Sequence, residues 1–371
     1  MFINNLIKYI EEWAPPGASW ENDNPGIQVG SGDNHIKNVF LTLDLNEKSL
    51  EQAILKKCNF IFTHHPLIFK PLKNINTGKD HKAKLIEKII KNDLTVYSAH
   101  TNLDFTKGGV SFVLAEKLNL KNINFLVNEE SNQYKVVVYV PEDFSGKVAS
   151  AMFQAGSGKI GEYEKCGNFY KGIGTFEGSE FSNPAVGKKQ KFETVTEIRF
   201  EVVVNKWNLD KVINAMKSVH PYEEPAYDIY PLKNKNTNFG AGAIGELNSP
   251  LSQNEFLDFI CNSLKTKNLR FSKGTGKKIN KVAVCGGSGS DMLYNAVAAG
   301  ADAFVTADVK YHSFQDGENK ILFVDAGHYE TEVHSLDAVK TKIEKYFISN
   351  KVKSKVYKYS GTTNPVKFFN K

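Results

Sequence analysis

Asn59-Phe60-Ile61-Phe62-Thr63-His64-His65-Pro66 decides how this chain is read: an unbroken apolar run passes directly into two histidines and a proline. A run of this length without alternation suits a strand buried on both faces. Pro66 denies helical geometry to His65 and marks the strand's end, which lets two adjacent imidazoles splay apart instead of pointing to opposite faces of a sheet. Two further stretches finish in the same way. They are Leu94-Thr95-Val96-Tyr97-Ser98-Ala99-His100-Thr101-Asn102-Leu103-Asp104 and Lys320-Ile321-Leu322-Phe323-Val324-Asp325-Ala326-Gly327-His328-Tyr329-Glu330-Thr331-Glu332. Four of the nine histidines stand at these three ends. In an open α/β sheet ligands bind in the crevice outside the carboxyl ends of the strands. One such histidine alone would be read as a turn residue bonded to backbone; three matching ends predict one shared metal centre.

Working outward, residues 38–44 read as a strand, 47–57 as a helix, 82–91 as a helix, 94–98 as a strand and 109–118 as a helix. Strands that alternate with helices predict an α/β lobe with a mainly parallel sheet covered on both faces. From about Gln133 the rhythm changes. Strand 134–140 and helix 145–155 are matched by strand 197–204 and helix 209–219, with strands at 173–177 and 192–196 between them and another at 226–232. With the adjoining 192–196 and 197–204 counted as one position, that order, β-α-β-β-α-β, predicts a ferredoxin-like domain. After Gly240-Ala241-Gly242-Ala243-Ile244-Gly245 the α/β rhythm returns, with strands at 281–285 and 303–306 and a helix that carries Glu332 to about Ile348. Because histidines from both outer stretches are needed at one site, the middle segment is an insertion. The predicted parts are a first α/β lobe at 1–126, an inserted domain at 127–245 and a second α/β lobe at 246–371.

The residue types define the chemistry. Asp104 follows His100 by four residues; a carboxylate there can bridge two cations, with His100 as an additional ligand or an outer donor. Its competing role, a cap for the helix near Gly108, is weakened by the separation in sequence. His328 and Glu332 share a face at i, i+4. The ligand set His64, His65, Asp104, His328 and Glu332 suits two divalent ions such as zinc, manganese, iron, cobalt or nickel, and the lack of thiolates disfavours a closed structural zinc site. Two neighbouring ions acidify a water between them and stabilise charge on an attacked centre, which is hydrolytic chemistry. Asp308, Lys310 and His312 end another strand, where they predict substrate or proton handling, and the catalytic candidates are His100, Lys310 and His312. Gly156-Ser157-Gly158-Lys159 lacks the spacing and the Ser or Thr of a phosphate loop. Cys285-Gly286-Gly287-Ser288-Gly289-Ser290-Asp291 is read as a tight strand-to-helix turn in preference to a phosphate cradle. His220-Pro221-Tyr222-Glu223-Glu224-Pro225 is read as a rigid turn.

Composition narrows the class. At 371 residues the chain suits two or three domains. Its opening residues form an amphipathic helix with no continuous apolar core, no run approaches membrane-spanning length, and a cytoplasmic location follows. The four cysteines are scattered without a Cys-x-x-Cys pair and are expected to be buried and inert. The net charge is +6, yet Arg199 and Arg270 are the only arginines, which argues against nucleic-acid recognition.

Thr63-His64-His65-Pro66, Ser98-Ala99-His100-Thr101-Asn102-Leu103-Asp104, Asp308-Val309-Lys310-Tyr311-His312 and Gly327-His328-Tyr329-Glu330-Thr331-Glu332 resemble the signatures of the Nif-three-like family of dinuclear metal proteins, also labelled GTP cyclohydrolase I type 2 homologues. The resemblance covers nearly the whole chain. It implies metal ligands at His64, His65, Asp104, His328 and Glu332. The middle segment is similar to the insert of longer members, departing from it at Cys166-Gly167-Asn168-Phe169, where such inserts often continue Cys-Ser-Phe. The resemblance further implies a homo-oligomer, a ring-like hexamer with metal sites facing an interior cavity. It implies either hydrolysis of a small nucleotide-like substrate, as in opening of the guanine ring of GTP, or a metal-dependent regulator whose insert senses a ligand or partner.

Overall fold

The computed structural model of the chain describes residues 1–128 and 132–369. They form two compact units, one of residues 1–127 with 239–371 and one of residues 128–238.

The larger unit contains two sheets. In the first, the strands lie in the order Gly26–Val29, Thr95–Ser98, Phe60–Thr63, Val39–Thr42, Val356–Lys358. All neighbours are parallel except the edge strand Gly26–Val29. The unbroken apolar runs are explained by burial on both faces. Phe60 and Phe62 turn toward Ile3, Leu6, Ile343 and Phe347, whereas Ile61 turns toward Leu50, Ala53, Leu85 and Ile89. Each side of the strand has its own helical cover.

The second sheet runs Arg270–Ser272, Leu322–Asp325, Ala303–Ala307, Ile279–Ser288, Gly240–Leu251, Lys121–Asn128. Only its centre is parallel; Arg270–Ser272 and Gly240–Leu251 pair antiparallel with their inner neighbours. This sheet is mixed, a correction to the mainly parallel expectation: two of its strands run opposite to the parallel centre. The glycine-rich stretch 240–245, expected to finish the insert, belongs to this sheet. Its glycines permit close backbone approach: a Cβ on Gly240 would lie 2.5 Å from the Val127 carbonyl oxygen, and one on Gly245 2.7 Å from that of Lys121. The unit boundary therefore falls at 238/239 and not at 245/246.

The two sheets exchange elements. Helix Val110–Lys117 and strand Lys121–Asn128, from the early part of the chain, complete the second sheet, with Phe112, Leu114 and Phe125 in the core that holds Val305 and Val324. Helix Ser335–Ser349 and strand Val356–Lys358, from the late part, complete the first. The expected single helix through Glu332 is two helices, His328–Glu332 and Ser335–Ser349. The short first one carries His328 and Glu332 and the long second one packs against the other sheet. Among the described residues no helix is long and apolar enough to cross a membrane.

In the smaller unit the elements run in the order strand Gln133–Pro141, helix Ser145–Gln154, strands Gly167–Glu177 and Phe192–Asn205, helix Leu209–Val219, strand Tyr227–Pro231. The strands read separately at 192–196 and 197–204 are one strand of 14 residues. All neighbours are antiparallel, with Gln133–Pro141 and Phe192–Asn205 central. Val136, Val138, Phe200 and Val202 pack under Val148, Met152, Val212 and Met216 of the helices. Gly156–Lys159 follows a helix here, which is the wrong context for a phosphate loop. The His220 ring accepts from Tyr222 N–H and faces the Tyr139 carbonyl at 3.0 Å, tying the turn as expected. Cys58 and Cys285 are buried, as expected of all four, but Cys166 and Cys261 are partly exposed because they lie at unit surfaces.

The chain leaves the larger unit at Val127 and re-enters at Phe239, on two neighbouring strands. Replacing residues 128–238 by a short glycine-serine linker should leave a folded unit that still binds metal, and residues 128–238 should fold alone. Circular dichroism, thermal unfolding and metal analysis check both; an unfolded remainder would show that the units depend on each other.

Candidate metal centre

The strand Phe60–Thr63 delivers His64 and His65 at its carboxyl end, where both backbone N–H groups donate to the Leu43 carbonyl at 3.2 and 3.0 Å. His100 caps the one-turn helix Thr101–Asp104, and His328 opens the helix His328–Glu332. The four rings gather, with centroids 5.0 Å apart for His64 and His65, 5.4 Å for His64 and His100, 5.6 Å for His65 and His100 and 5.3 Å for His65 and His328.

Every one of these rings is held from behind through Nδ1. His64 faces the Ala99 carbonyl at 2.8 Å, His65 Asp44 at 2.7 Å, His100 Asp23 at 2.8 Å and His328 Asp308 at 2.6 Å. An oxygen on Nδ1 fixes the tautomer and leaves Nε2 as a lone-pair donor toward the centre, the arrangement of metal-ligating histidine.

Into that centre project two carboxylates. Glu332, 3 % exposed, brings oxygens within 3.7 Å of His64 Nε2, 3.1 Å of His65 Nε2 and 3.1 Å of His328 Nε2. Asp104 reaches His64 Nε2 at 3.6 Å. The carboxylate shared among three imidazoles is thus Glu332, while Asp104, the expected bridge, adjoins the His64 side. Asp104 does not cap the next helix, whose N-cap is Gly109 without a side-chain bond.

Three enclosed atoms at this point lack any hydrogen-bond partner: His64 Nε2, Asp104 Oδ1 and Glu332 Oε2. Glu332 Oε2 is near His65 Nε2 but outside hydrogen-bonding geometry. Leaving buried polar atoms unpaired is costly, and three of them converging on one point, all of ligand type, fit a cation. His64, His65 and His100 form one group that could hold an ion, and His65, His328 and Glu332 another.

Backbone constraints frame the centre. Gly287, at φ +63°, would put a Cβ 2.2 Å from Glu332 Oε1 and 3.3 Å from the His328 ring, so only glycine fits. The loop that carries it, Cys285–Asp291, is a wall of the site and not a phosphate cradle. Its N–H groups are already engaged: Gly286 by Ser111 Oγ, Gly287 by Thr331 Oγ1 and Gly289 by Thr306 Oγ1. Asp308 holds φ +53°, an uncommon backbone state for a non-glycine residue, at the position from which it grips His328.

The charges are strongly coupled. Burial opposes a proton on His65 and on His328, but the carboxylates beside each prevail, raising them to about 10 and about 9. Burial likewise opposes charge on His64, and Asp104 and Glu332 overcome it. Burial alone would raise both carboxyls. Asp104 follows it to about 6, whereas the imidazoles around Glu332 hold that carboxyl well below its usual range.

Of the residues expected at the site, His64, His65, His100, Asp104, His328 and Glu332 are brought together. Asp308 joins them from behind. Lys310 and His312 are exposed on the following turn and helix, with His312 bonded to Gln315, and among the described residues no hydrogen bond or ion pair ties either to the centre. Sequence reasoning missed Asp23 and Asp44. Asp44 did end a predicted strand, which was the available signal; Asp23 lies in a loop and gave none.

Two outcomes follow from this geometry. Protons raised onto His65 and His328 stabilise the chelated protein fully below pH 6.5, and that contribution is lost as pH rises through about 9 to 10. A metal ion must displace the same protons, so apparent metal affinity should climb with pH from 6 to 9 and each ion bound should release protons. Chelator competition across that range, with calorimetry in two buffers, measures both. Asp308→Asn should lower metal affinity about 10–100-fold without changing the fold, as is typical when an outer partner is lost; competition titration against wild type checks it.

Comparison with known proteins agrees with the architecture. The family model described as Duf34/NIF3 (NGG1p interacting factor 3) matches residues 1–365. A protein of Halalkalibacterium halodurans named GTP cyclohydrolase 1 type 2 homolog is 39 % identical over 368 residues, covering 98 % of each chain. Its namesake in Bacillus subtilis is 37 % identical over 365 residues, covering 98 % of this chain and 97 % of that one. The crystal structure of a Bacillus cereus protein related to NIF3 is similar with a TM-score of 0.83 and 35 % identity, over 100 % of this chain and 99 % of that one. With the match running through both sheets and every strand end that carries a site residue, the chain belongs to the Duf34/NIF3 family.

Proposed function

We propose that this protein is a metal-dependent hydrolase that holds two divalent ions and acts on a nucleotide-like substrate. The observation that carries the reading is the convergence of the enclosed, unpartnered His64 Nε2, Asp104 Oδ1 and Glu332 Oε2 inside a ring of imidazoles held by their Nδ1 atoms. His64, His100 and Asp104 would hold one ion and His65 and His328 the other, with Glu332 between them. Such ions supply Lewis acidity, which acidifies water and stabilises charge at an attacked centre. The protein's part is orientation: Ala99, Asp44, Asp23 and Asp308 fix the rings, and Gly287 leaves room for Glu332.

A nucleotide-like substrate is supported by the names of the relatives and by the rim of the site. Phe69, 48 % exposed, stands edge-on to His100 at 6.1 Å. Trp20, 59 % exposed, is anchored by its backbone to Thr101 Oγ1 and leans on Phe105. Two exposed aromatic faces flanking a polar centre suit a planar base. Lys310 and His312, on the turn and helix after Asp308, are our choice for substrate or proton handling. We read residues 128–238 as a ferredoxin-like insert, supported by its element order and antiparallel sheet, and the assembly as a homohexamer, supported by the family resemblance.

The test is a turnover screen of full-length protein loaded with zinc, manganese or iron against GTP, phosphoesters and cyclic amides. About two ions per chain should be found, and activity should disappear on chelation and in Glu332→Gln. Lys310→Ala and His312→Ala should lower kcat with metal content intact, while Trp20→Ala should raise KM. A fully loaded protein without turnover on any of these substrates would sink the hydrolase assignment.

A further inference from the structure

Beyond the last strand, residues 359–364 are pinned to the larger unit at four points. Tyr359 N–H donates to the Leu41 carbonyl at 2.9 Å. Ser360 N–H donates to Gln52 Oε1 at 3.0 Å, and its hydroxyl accepts from Gln52 Nε2 at 2.7 Å. Thr363 Oγ1 donates to Asp44 Oδ2 at 2.7 Å. Asn364 Nδ2 donates to Glu330 Oε1 at 2.9 Å, with its own Oδ1 occupied by Val366 N–H, which fixes the amide's orientation.

Two of these anchors adjoin the candidate metal centre. Asp44 uses one oxygen for Thr363 and the other for His65 Nδ1. Glu330 lies on the same one-turn helix as His328 and Glu332. A carboxylate left with a single partner can rotate; one held at both oxygens presents a fixed acceptor to the imidazole. We infer that residues 359–364 form a strap for the metal centre, in which Thr363 positions His65 through Asp44 and Asn364 positions the helix of His328 and Glu332 through Glu330. Neither residue meets the ions; both are positioning residues. The inference rests on the metal-binding reading proposed above.

The test uses full-length protein loaded with cobalt(II), whose visible absorption reports ligand geometry, and compares wild type with Thr363→Val, Thr363→Ser and Asn364→Ala. Thr363→Val keeps the side-chain shape and removes the donor. It should alter the cobalt spectrum and speed release of one ion to a chelator by roughly 3- to 10-fold, less than the loss expected when an outer partner itself is removed. Asn364→Ala should also speed release. Thr363→Ser should restore spectrum and release rate, and the unfolding temperature in excess chelator should be the same for all four proteins. Unchanged spectra and rates in Thr363→Val and Asn364→Ala would overturn the strap, as would failure of Thr363→Ser to restore them. Wild-type protein that takes up no cobalt would overturn the metal reading itself, a separate outcome.

Discussion

The Glu332 carboxylate, buried among three imidazoles, is the interaction on which the remaining structure depends. An enclosed carboxylate without compensating charge is intolerable in a protein interior. Here the compensation comes from His64 and His65 on one sheet and from His328 on the helix of Glu332 itself. The same crowding that makes the carboxylate safe makes the group receptive to cations. Protons occupy the imidazoles when nothing stronger competes, and Asp104 is left so poorly compensated that its carboxyl rises to about 6.

Bringing Glu332 to His64 requires the two sheets to stay in fixed relation, and the exchange of elements supplies this. Helix Ser335–Ser349, two residues after the ligand helix, buries Leu336, Val339, Ile343 and Phe347 against Phe60 and Phe62, the strand that ends in the histidine pair. Helix Val110–Lys117, five residues after Asp104, buries Leu114 and Ala115 in the core of the other sheet. The turns that carry Asp104 and Glu332 are thus each followed at once by an element anchored in the opposite sheet. Any shift between the sheets would disrupt both cores as well as the centre.

Much of this was readable from residue types alone. The central strands were legible because burial on both faces leaves an uninterrupted apolar run, and the clustered histidines and carboxylates were legible because they stand at or just beyond the ends of those runs. The edge strands Gly26–Val29, Arg270–Ser272 and Val356–Lys358 were not, being short and half exposed, with no periodicity to betray them. Gly240–Leu251 was hidden by its glycines, which look like a linker yet serve close packing of backbones. Asp23 and Asp44 were hidden for another reason. An outer carboxylate is defined by the ring it faces, and that partner lies 77 residues away for Asp23 and 21 for Asp44.

The placement of late elements has a consequence for biosynthesis. Domains fold largely from the N-terminal end as the chain is made. Strand Val39–Thr42 finds its outer neighbour only when Val356–Lys358 emerges, and His64 and His65 meet Glu332 only after the whole intervening chain has been made. A nascent chain therefore carries an unpaired sheet edge, open to pairing with other chains, and two histidines without their carboxylate. A cation captured before that point would meet an incomplete set of donors, because the group is whole only once the late elements have joined the sheet they complete.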